Sequence, residues 1–332
     1  MFGKANQLRR IINQDGVAEG YQAVKRYVEW GVFYNSNNPI WSLKRGRILP
    51  TVGILSNKIL RKNYFEQYLR KKYGRFLIRH INDYWMWIDL DDPGLSRDLI
   101  SYGVREPRSS KALVNELRRM EQQNDELVTI MEIGANIGYY ALLEATVLGD
   151  NANIHAFEPE PRNISLLQRN IELNGFKNVF TTHQVAVGDE PASVELEVTE
   201  KSNLNAVHSE GKDLSQLETR DTVSVPQVSV DEYVKDNGID PEEVDLLRMD
   251  VEGHEYEIFK GMRSVFECDS DVVIFLETHF RRISEQKKHE IIDTLADSGF
   301  SIVHSARGFR KTSIRSFDDL RELGGEIILR RE

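Results

Sequence analysis

From residue 128 to the end of the chain, short apolar runs alternate with helical patterns, and few folds accept that order. The runs are Val128–Ile133, Asn153–Phe157, Val179–Val187, Val244–Asp250, Asp271–Glu277, Phe300–Ser305 and Glu326–Arg330. Helical patterns lie between them near 138–148, 161–173, 229–237, 253–262 and 284–298. Val272-Val273-Ile274-Phe275-Leu276 shows no polar alternation, which suits a strand covered on both faces. Strands separated by helices pair in parallel, because each crossover brings the chain back to the same end of the sheet. The expectation is a doubly wound, mostly parallel α/β sheet of seven strands. The stretch 188–228 interrupts the alternation: Val194–Val198 reads as an extra strand and 199–222 as a polar loop.

At 332 residues the chain is long for one unit, and its periodicity divides it near residue 89. Residues 1–88 read as a smaller module with helices at 18–30 and 56–73 and a β-hairpin, Phe76–Ile81 and Tyr84–Leu90, around Asn82-Asp83. Residues 89–332 form the larger unit, entered through an extended stretch with Asp91-Asp92-Pro93-Gly94 and Arg105-Glu106-Pro107, then a helix over 110–122. The net charge of −10 conceals an asymmetry: residues 1–88 hold 16 Lys+Arg against 5 Asp+Glu, which leaves −21 on the larger unit. Lys58, Arg61, Lys62, Arg70, Lys71 and Lys72 share a helical pattern with Tyr64, Phe65, Tyr68 and Tyr73, and Trp85 and Trp87 follow. Residues 56–88 are expected either to pack their aromatics on the larger unit with the charges solvated, or to touch a membrane surface or glycolipid peripherally. Nucleic acid is disfavoured, because the acidic larger unit repels phosphates. Met1–Gly20 has no secretory apolar core, no run nears the roughly 20 apolar residues of a membrane span, and Cys268 is the only cysteine. A cytoplasmic location without disulfides is expected, with contact at the inner membrane surface as its variant.

The first strand of the larger unit ends in Glu132, and Gly134 and Gly138 open the next helix. Glycines at such a turn let a ligand approach the backbone, at the end of the strands where open α/β sheets bind their ligands. A second carboxylate, Glu158, follows 26 residues later in Phe157-Glu158-Pro159, placed to accept hydrogen bonds from ribose hydroxyls. A nicotinamide or flavin dinucleotide site expects glycine where this loop has Asn136, and Glu132 would repel a diphosphate. Glu132 suits a cationic amino-acid head instead. S-adenosylmethionine, which carries an ammonium and a sulfonium and no phosphate, is the better match.

Five segments then coincide in order: Glu132-Ile133-Gly134-Ala135-Asn136-Ile137-Gly138-Tyr139-Tyr140, His155 to Pro161, Asn170 to Asn174, Val185 to Asp189, and Arg248 to Glu255. Together with Gly103-Val104-Arg105-Glu106-Pro107 they resemble the FkbM family of S-adenosylmethionine-dependent methyltransferases over roughly residues 95–280. The family more often has Asp where this chain has Glu132. The resemblance implies a Rossmann-like sheet with an antiparallel last strand, and O-methylation of a hydroxyl on a sugar, glycan or glycolipid-linked saccharide. It also implies that Glu132, Gly134, Ala135, Asn136 and Gly138 cradle the methionine part of the cofactor. Glu158 and Pro159 would meet the ribose and Gln184, Val185 and Ala186 the adenine, while Asp250 would close the site. Apart from the resemblance, Glu106 and Arg105 just upstream are placed either to reach over the cofactor or to form a surface ion pair. After the fourth strand, Asp250-Val251-Glu252-Gly253 lacks the Asn/Asp-Pro-Pro-Tyr pattern of amine-modifying enzymes, which favours oxygen as the acceptor atom.

Methyl transfer to a hydroxyl needs a base near the strand ends. His279 and then His254 are the first candidates, since imidazole titrates nearest neutral pH; Asp250 and Glu277, with Glu252 and Glu255, are the others. The same residue types suit a divalent ion, but their spacing does not compel one and no metal ligands are assigned. A fold that binds the cofactor without turnover, a nucleic-acid methyltransferase and an NAD(P)-dependent oxidoreductase are the alternatives. The acceptor contacts are expected from residues 199–222, residues 91–107 and the N-terminal module, where the resemblance is thinnest.

Overall fold

The computed structural model describes residues 64–123, 126–207, 219–307, 310–311 and 314–331. The helix expected at 18–30 and the part of the 56–73 pattern before Tyr64 lie outside the described residues. The chain groups into two compact units, Met1–Arg105 with Arg169–Gly175, and Glu106–Gln168 with Phe176–Glu332.

In the first unit, α1 (Tyr64–Tyr73) leads into an antiparallel hairpin of β1 (Phe76–Ile81) and β2 (Tyr84–Asp89), with Ile81 opposite Tyr84. Asn82 turns the chain at φ 49°, a left-handed conformation that asparagine tolerates. The free edge of β2 is satisfied by two asparagines four residues apart. Trp87 N donates to Asn170 Oδ1 at 2.6 Å, Trp85 N donates to Asn174 Oδ1 at 2.8 Å, and Asn174 Nδ2 donates back to Trp85 O at 2.7 Å. They do the work of a neighbouring strand for these backbone groups. The stretch expected to be extended contains a helix, α2 (Leu95–Tyr102). Asp92 accepts from Gly94 N and Ser96 N at 2.9 and 3.0 Å and fixes its first turn, while Gly103 ends it at φ 74°. Leu95, Leu99 and Ile100, at helical spacing, are buried. The Pro and Gly residues thus mark the ends of this helix and not its absence.

The second unit opens with α3 (Pro107–Gln123), whose proline sits where a helix has no use for its N–H. There follow β3 (Val128–Ile133), α4 (Tyr139–Leu148), β4 (Ala152–Phe157), α5 (Pro161–Asn174) and β5 (Phe180–His183). After an excursion come α6 (Val230–Asn237), β10 (Val244–Met249), α7 (Glu255–Lys260), α8 (Arg263–Glu267), β11 (Val273–Glu277), α9 (Glu285–Asp297), β12 (Phe300–Arg307), β13 (Arg310–Lys311), α10 (Phe317–Leu323) and β14 (Glu326–Arg331). The sheet order is β13-β12-β14-β11-β10-β3-β4-β5. The strands β11-β10-β3-β4-β5 run parallel, whereas β14 is antiparallel to β11 and β12. This is the expected doubly wound sheet with an antiparallel last strand, and β13 adds a two-residue edge. All six residues of β3 are buried, as a strand covered on both faces requires.

Three expectations are corrected. The run 179–187 is two strands: β5 stays in the main sheet, and the chain then turns at Gln184-Val185 into β6 (Ala186–Gly188). The extra strand expected at Val194–Val198 is β7 (Ala192–Thr199), and the expected loop 199–222 also contributes β8 (Ala206–Val207) and the start of the eleven-residue β9 (Thr219–Ser229), which join β6 and β7 in a second sheet of order β6-β9-β7-β8. It looks polar because only one face is covered, around Ala186, Leu196, Val198, Val207 and Val225. The helix expected over 253–262 breaks near Gly261, because Asp231 accepts from Arg263 N and Ser264 N, each at 3.0 Å, and starts α8 anew.

Candidate functional site

The strand order reverses between β3 and β10, and the residues singled out above collect at the carboxyl ends of these strands. Gly134 and Gly138 take φ 79° and 93° between β3 and α4. A Cβ on Gly134 would overlap the Asp250 carbonyl oxygen, and one on Gly138 the Leu167 side chain, so both glycines serve close approach of backbone. The amides of the loop are spoken for. Gly134 N and Ala135 N donate to Phe157 O at 2.9 and 3.0 Å, Asn136 N to Glu158 Oε2 at 2.8 Å, Ile137 N to Asn136 Oδ1 at 2.7 Å and Gly138 N to Ala135 O at 2.9 Å. A bound diphosphate would need such N–H groups. Asn136, itself at φ 50°, donates from Nδ2 to Ser202 O at 3.0 Å, which ties the second sheet's Ser202–Leu204 turn to the loop.

Glu158 is buried at the end of β4, and its Oε1 accepts from Glu160 N at 3.0 Å and Asn163 Nδ2 at 3.3 Å. Burial pushes its carboxyl up to about 7 against the pull of these donors and Asn136 N. Three donors fill three of the roughly four lone-pair sites of a carboxylate, which leaves room for a hydroxyl. Pro159 is half-buried in the turn to α5. Gln184 is exposed, Val185 packs half-buried against the main core, and Ala186 is buried as the first residue of β6. Beside them Tyr233 of α6 bridges two histidines, its hydroxyl 2.8 Å from His155 Nδ1 and 2.7 Å from His183 Nε2. Burial lowers both imidazoles, His155 to about 4.

Glu132 is fully buried, and its Oε1 accepts from Arg248 Nη1 at 2.6 Å across the β3–β10 register. Arg248 lies 3.9 Å from the centre of the Tyr140 ring and 3.7 Å from Asp250 Oδ2. Glu144, one turn into α4, is buried beside Glu132; burial and then the Glu132 charge hold its carboxyl well above the usual range. Sequence reasoning missed this network. Its signal is a lone Glu in the apolar helix Tyr139–Leu148 and a lone Arg in the apolar strand Val244–Met249.

At the ends of β10 and β11 the structure brings together Asp250, Glu252, Glu255, Glu277 and His279. His279 Nδ1 is 2.8 Å from Glu255 Oε1, and Nε2 lies 3.4 Å from Glu252 Oε2 and 3.9 Å from both Asp250 Oδ1 and Glu277 Oε1. Burial opposes a charge on this ring, but Glu252, Glu255 and Glu277 outweigh it and raise His279 to about 10. Arg282 Nη1 pairs with Glu252 Oε2 at 2.6 Å, and Glu252 takes φ 53°. Glu106 lies close to Glu277 and Glu326 and accepts from Tyr140 OH at 2.6 Å. His254 does not join the set: it is buried with Nε2 3.1 Å from Gln227 Oε1 of β9 and Nδ1 3.5 Å from Glu257 Oε2. No helix among the described residues is long and apolar enough to cross a membrane.

Among curated proteins, the hexuronic acid methyltransferase AglP of Haloferax volcanii is 24% identical over 171 residues, covering 52% of this chain and 64% of that protein. Methyltransferase 1 of Beauveria bassiana is 31% identical over 147 residues, covering 40% and 57%. The chain therefore spans less than two thirds of the length of either relative. Solved structures that align with it include the methyltransferase FkbM from Methylobacillus flagellatus KT, 13% identical, covering 73% of this chain and 61% of that one, with a TM-score of 0.37. TYW2 of M. jannaschii in complex with AdoMet is 14% identical over 77% of this chain and 84% of that one, with a TM-score of 0.37. The model of the methyltransferase FkbM domain matches residues 132–309, more than half of the chain and the whole span from Glu132 through His279. The chain belongs to the FkbM methyltransferase family.

Proposed function

We propose that the chain is an S-adenosylmethionine-dependent O-methyltransferase whose acceptor is a hydroxyl of a sugar, glycan or glycolipid-linked saccharide. The observation that carries the proposal is the β3–α4 loop, whose amides are satisfied within the protein beside a Glu158 carboxylate with acceptor capacity left. Glu158 thus offers an acceptor to a ribose hydroxyl, and the loop offers no free amide to a diphosphate. Bound S-adenosylmethionine supplies an electrophilic methyl: an O–C bond forms as the C–S bond breaks, sulfur keeps the electron pair as a neutral thioether, and the hydroxyl proton leaves.

Gly134, Ala135, Asn136 and Gly138 would hold the methionine part, with Glu132 locked behind them by Arg248. Glu158 and Pro159 would meet the ribose, and Gln184, Val185 and Ala186 the adenine edge. Asp250 and Glu277 lie at the ends of adjacent strands, and we assign them the acceptor's proton, with His279 Nε2 3.9 Å from a carboxylate oxygen of each. Glu106 would limit the far side of the acceptor space, and His254 would brace the turn from behind through Gln227. The hexuronic acid named for the relative from Haloferax volcanii favours a saccharide acceptor. Incubation with methyl-labelled S-adenosylmethionine and a panel of mono- and oligosaccharides tests the proposal: label in an alkali-stable methyl ether is expected. Label in an amine, or cofactor binding without transfer to any hydroxyl compound, would overturn it.

A further inference from the structure

The cluster at the ends of β10 and β11 has an order that proton transfer alone does not call for. Glu255 is fully buried and lies 2.8 Å from His279 Nδ1, so the ring hydrogen belongs there and the Nε2 lone pair turns toward Glu252, Asp250 and Glu277. A carboxylate behind a histidine, aiming the opposite nitrogen at oxygen donors, is how proteins fix a ligating imidazole. A lone pair facing three carboxylates is repulsive unless positive charge stands between them, and either a proton on Nε2 or a metal ion provides it. The spacing suits one ion, since ligands each about 2.1 Å from a metal stand roughly 3.0–3.4 Å apart at octahedral or tetrahedral angles. Asp250, Glu252 and His279 each bring one donor atom within 4.8 Å of the others, and Nε2 to Glu252 Oε2 is already 3.4 Å. Glu106, Glu277 and Glu326 meet the same limit, but Tyr140 OH donates to Glu106 and Ser109 Oγ to Glu326, so two of that trio already have neutral donors.

We propose that Asp250, Glu252 and His279, with Glu277 beside them, bind one divalent metal ion. Oxygen donors with a single imidazole suit Mn²⁺ or Mg²⁺ better than softer metals. Arg282 shares Glu252, so Asp250 and His279 are the ligands whose loss should count most. The purpose of the ion rests on the O-methyltransferase proposal, where it would polarise the acceptor hydroxyl. Its presence does not, because binding can be read without cofactor or acceptor.

The test is an electron paramagnetic resonance titration of the chelator-treated full chain with Mn²⁺ alone. The expected result is one Mn²⁺ per chain, with Asp250→Asn and His279→Gln each weakening binding at least tenfold, about 1.4 kcal/mol. Asp221→Asn, at an exposed carboxylate of β9, should leave it unchanged. Added Mn²⁺ should also raise the melting temperature of the unsubstituted chain, which keeps the test decisive if a variant fails to fold. Free Mn²⁺ spectra up to about 1 mM, the weak end of protein sites, or equal affinity in the folded variants, would overturn the proposal. Calorimetry of the same chelated protein with S-adenosylmethionine separates the two proposals: if the chain binds S-adenosylmethionine but never Mn²⁺, the metal site alone falls, and if it binds Mn²⁺ but never S-adenosylmethionine, the methyltransferase alone falls.

Discussion

Glu144→Gln should make the protein more stable, and only above the pH at which an ordinary glutamate ionises. The Glu144 side chain is fully buried beside Glu132, and its carboxyl is held well above its ordinary value of 4.5 by burial and by the Glu132 charge. Raised in the fold, this carboxyl keeps its proton to a higher pH than it does in the unfolded chain. Above pH 4.5 folding therefore has to return a proton to Glu144, which costs about 1.36 kcal/mol for each pH unit over which the folded group keeps it. The sign follows from the raised folded value: no cost exists well below pH 4.5, and stability is lost as pH rises from there. Glutamine has the same shape and no proton to take up. Its second amide hydrogen, if buried without a partner, costs about 1–3 kcal/mol at every pH, so the gain must grow as pH rises. For a unit of this size each 1 kcal/mol of gain is a rise of about 2–4 °C in melting temperature. Melting both proteins at pH 4.5 and pH 7 checks it. A gain at pH 7 that disappears at pH 4.5 is expected. A gain of equal size at both pH values, or a loss at pH 7, would refute the reasoning, because either means that proton uptake is not what Glu144 costs.

Two further predictions concern residues around the site. Gly134→Ala should weaken S-adenosylmethionine binding at least tenfold in a calorimetric titration and lower the melting temperature, since φ 79° penalises any side chain and the Asp250 carbonyl must move; full affinity would show that the close approach of the two backbones is dispensable. Burial lowers His155 from 6.5 to about 4, so its contribution to stability is present above pH 6.5 and is lost as pH falls toward 4. His155→Gln should therefore flatten the melting profile between pH 7 and pH 5 by about 2 kcal/mol relative to the unsubstituted chain, and parallel profiles would contradict it.

What could be read from the sequence follows from how many faces each element buries. The main sheet is legible because strands such as Val128–Ile133 are apolar throughout and can only lie inside. Thr219–Ser229 buries one face only from Val223 onward, and its first residues, with Arg220, Asp221 and Thr222 exposed on both faces, look like loop. Helix Leu95–Tyr102 hides behind Pro93-Gly94 and Gly103, although Leu95, Leu99 and Ile100 carry its spacing. In the site, the glycines, Asn136 and Glu158 are legible because strand–turn–helix geometry fixes where they lie. The pairing of Glu132 with Arg248, and the turn of His254 toward Gln227, depend on which neighbours share a sheet face or a loop, and that is set by strand order. The asparagines Asn170 and Asn174 show the same limit: four residues apart on a helix, they serve a strand more than 80 residues away.

The most direct test of the account is calorimetric titration of the full chain with S-adenosylmethionine and, in parallel, with NAD. One molecule of S-adenosylmethionine per chain is expected, with no heat from NAD and at least tenfold weaker cofactor binding in Glu158→Ala, about 1.4 kcal/mol. Binding of NAD without binding of S-adenosylmethionine, or full affinity in Glu158→Ala, would contradict it.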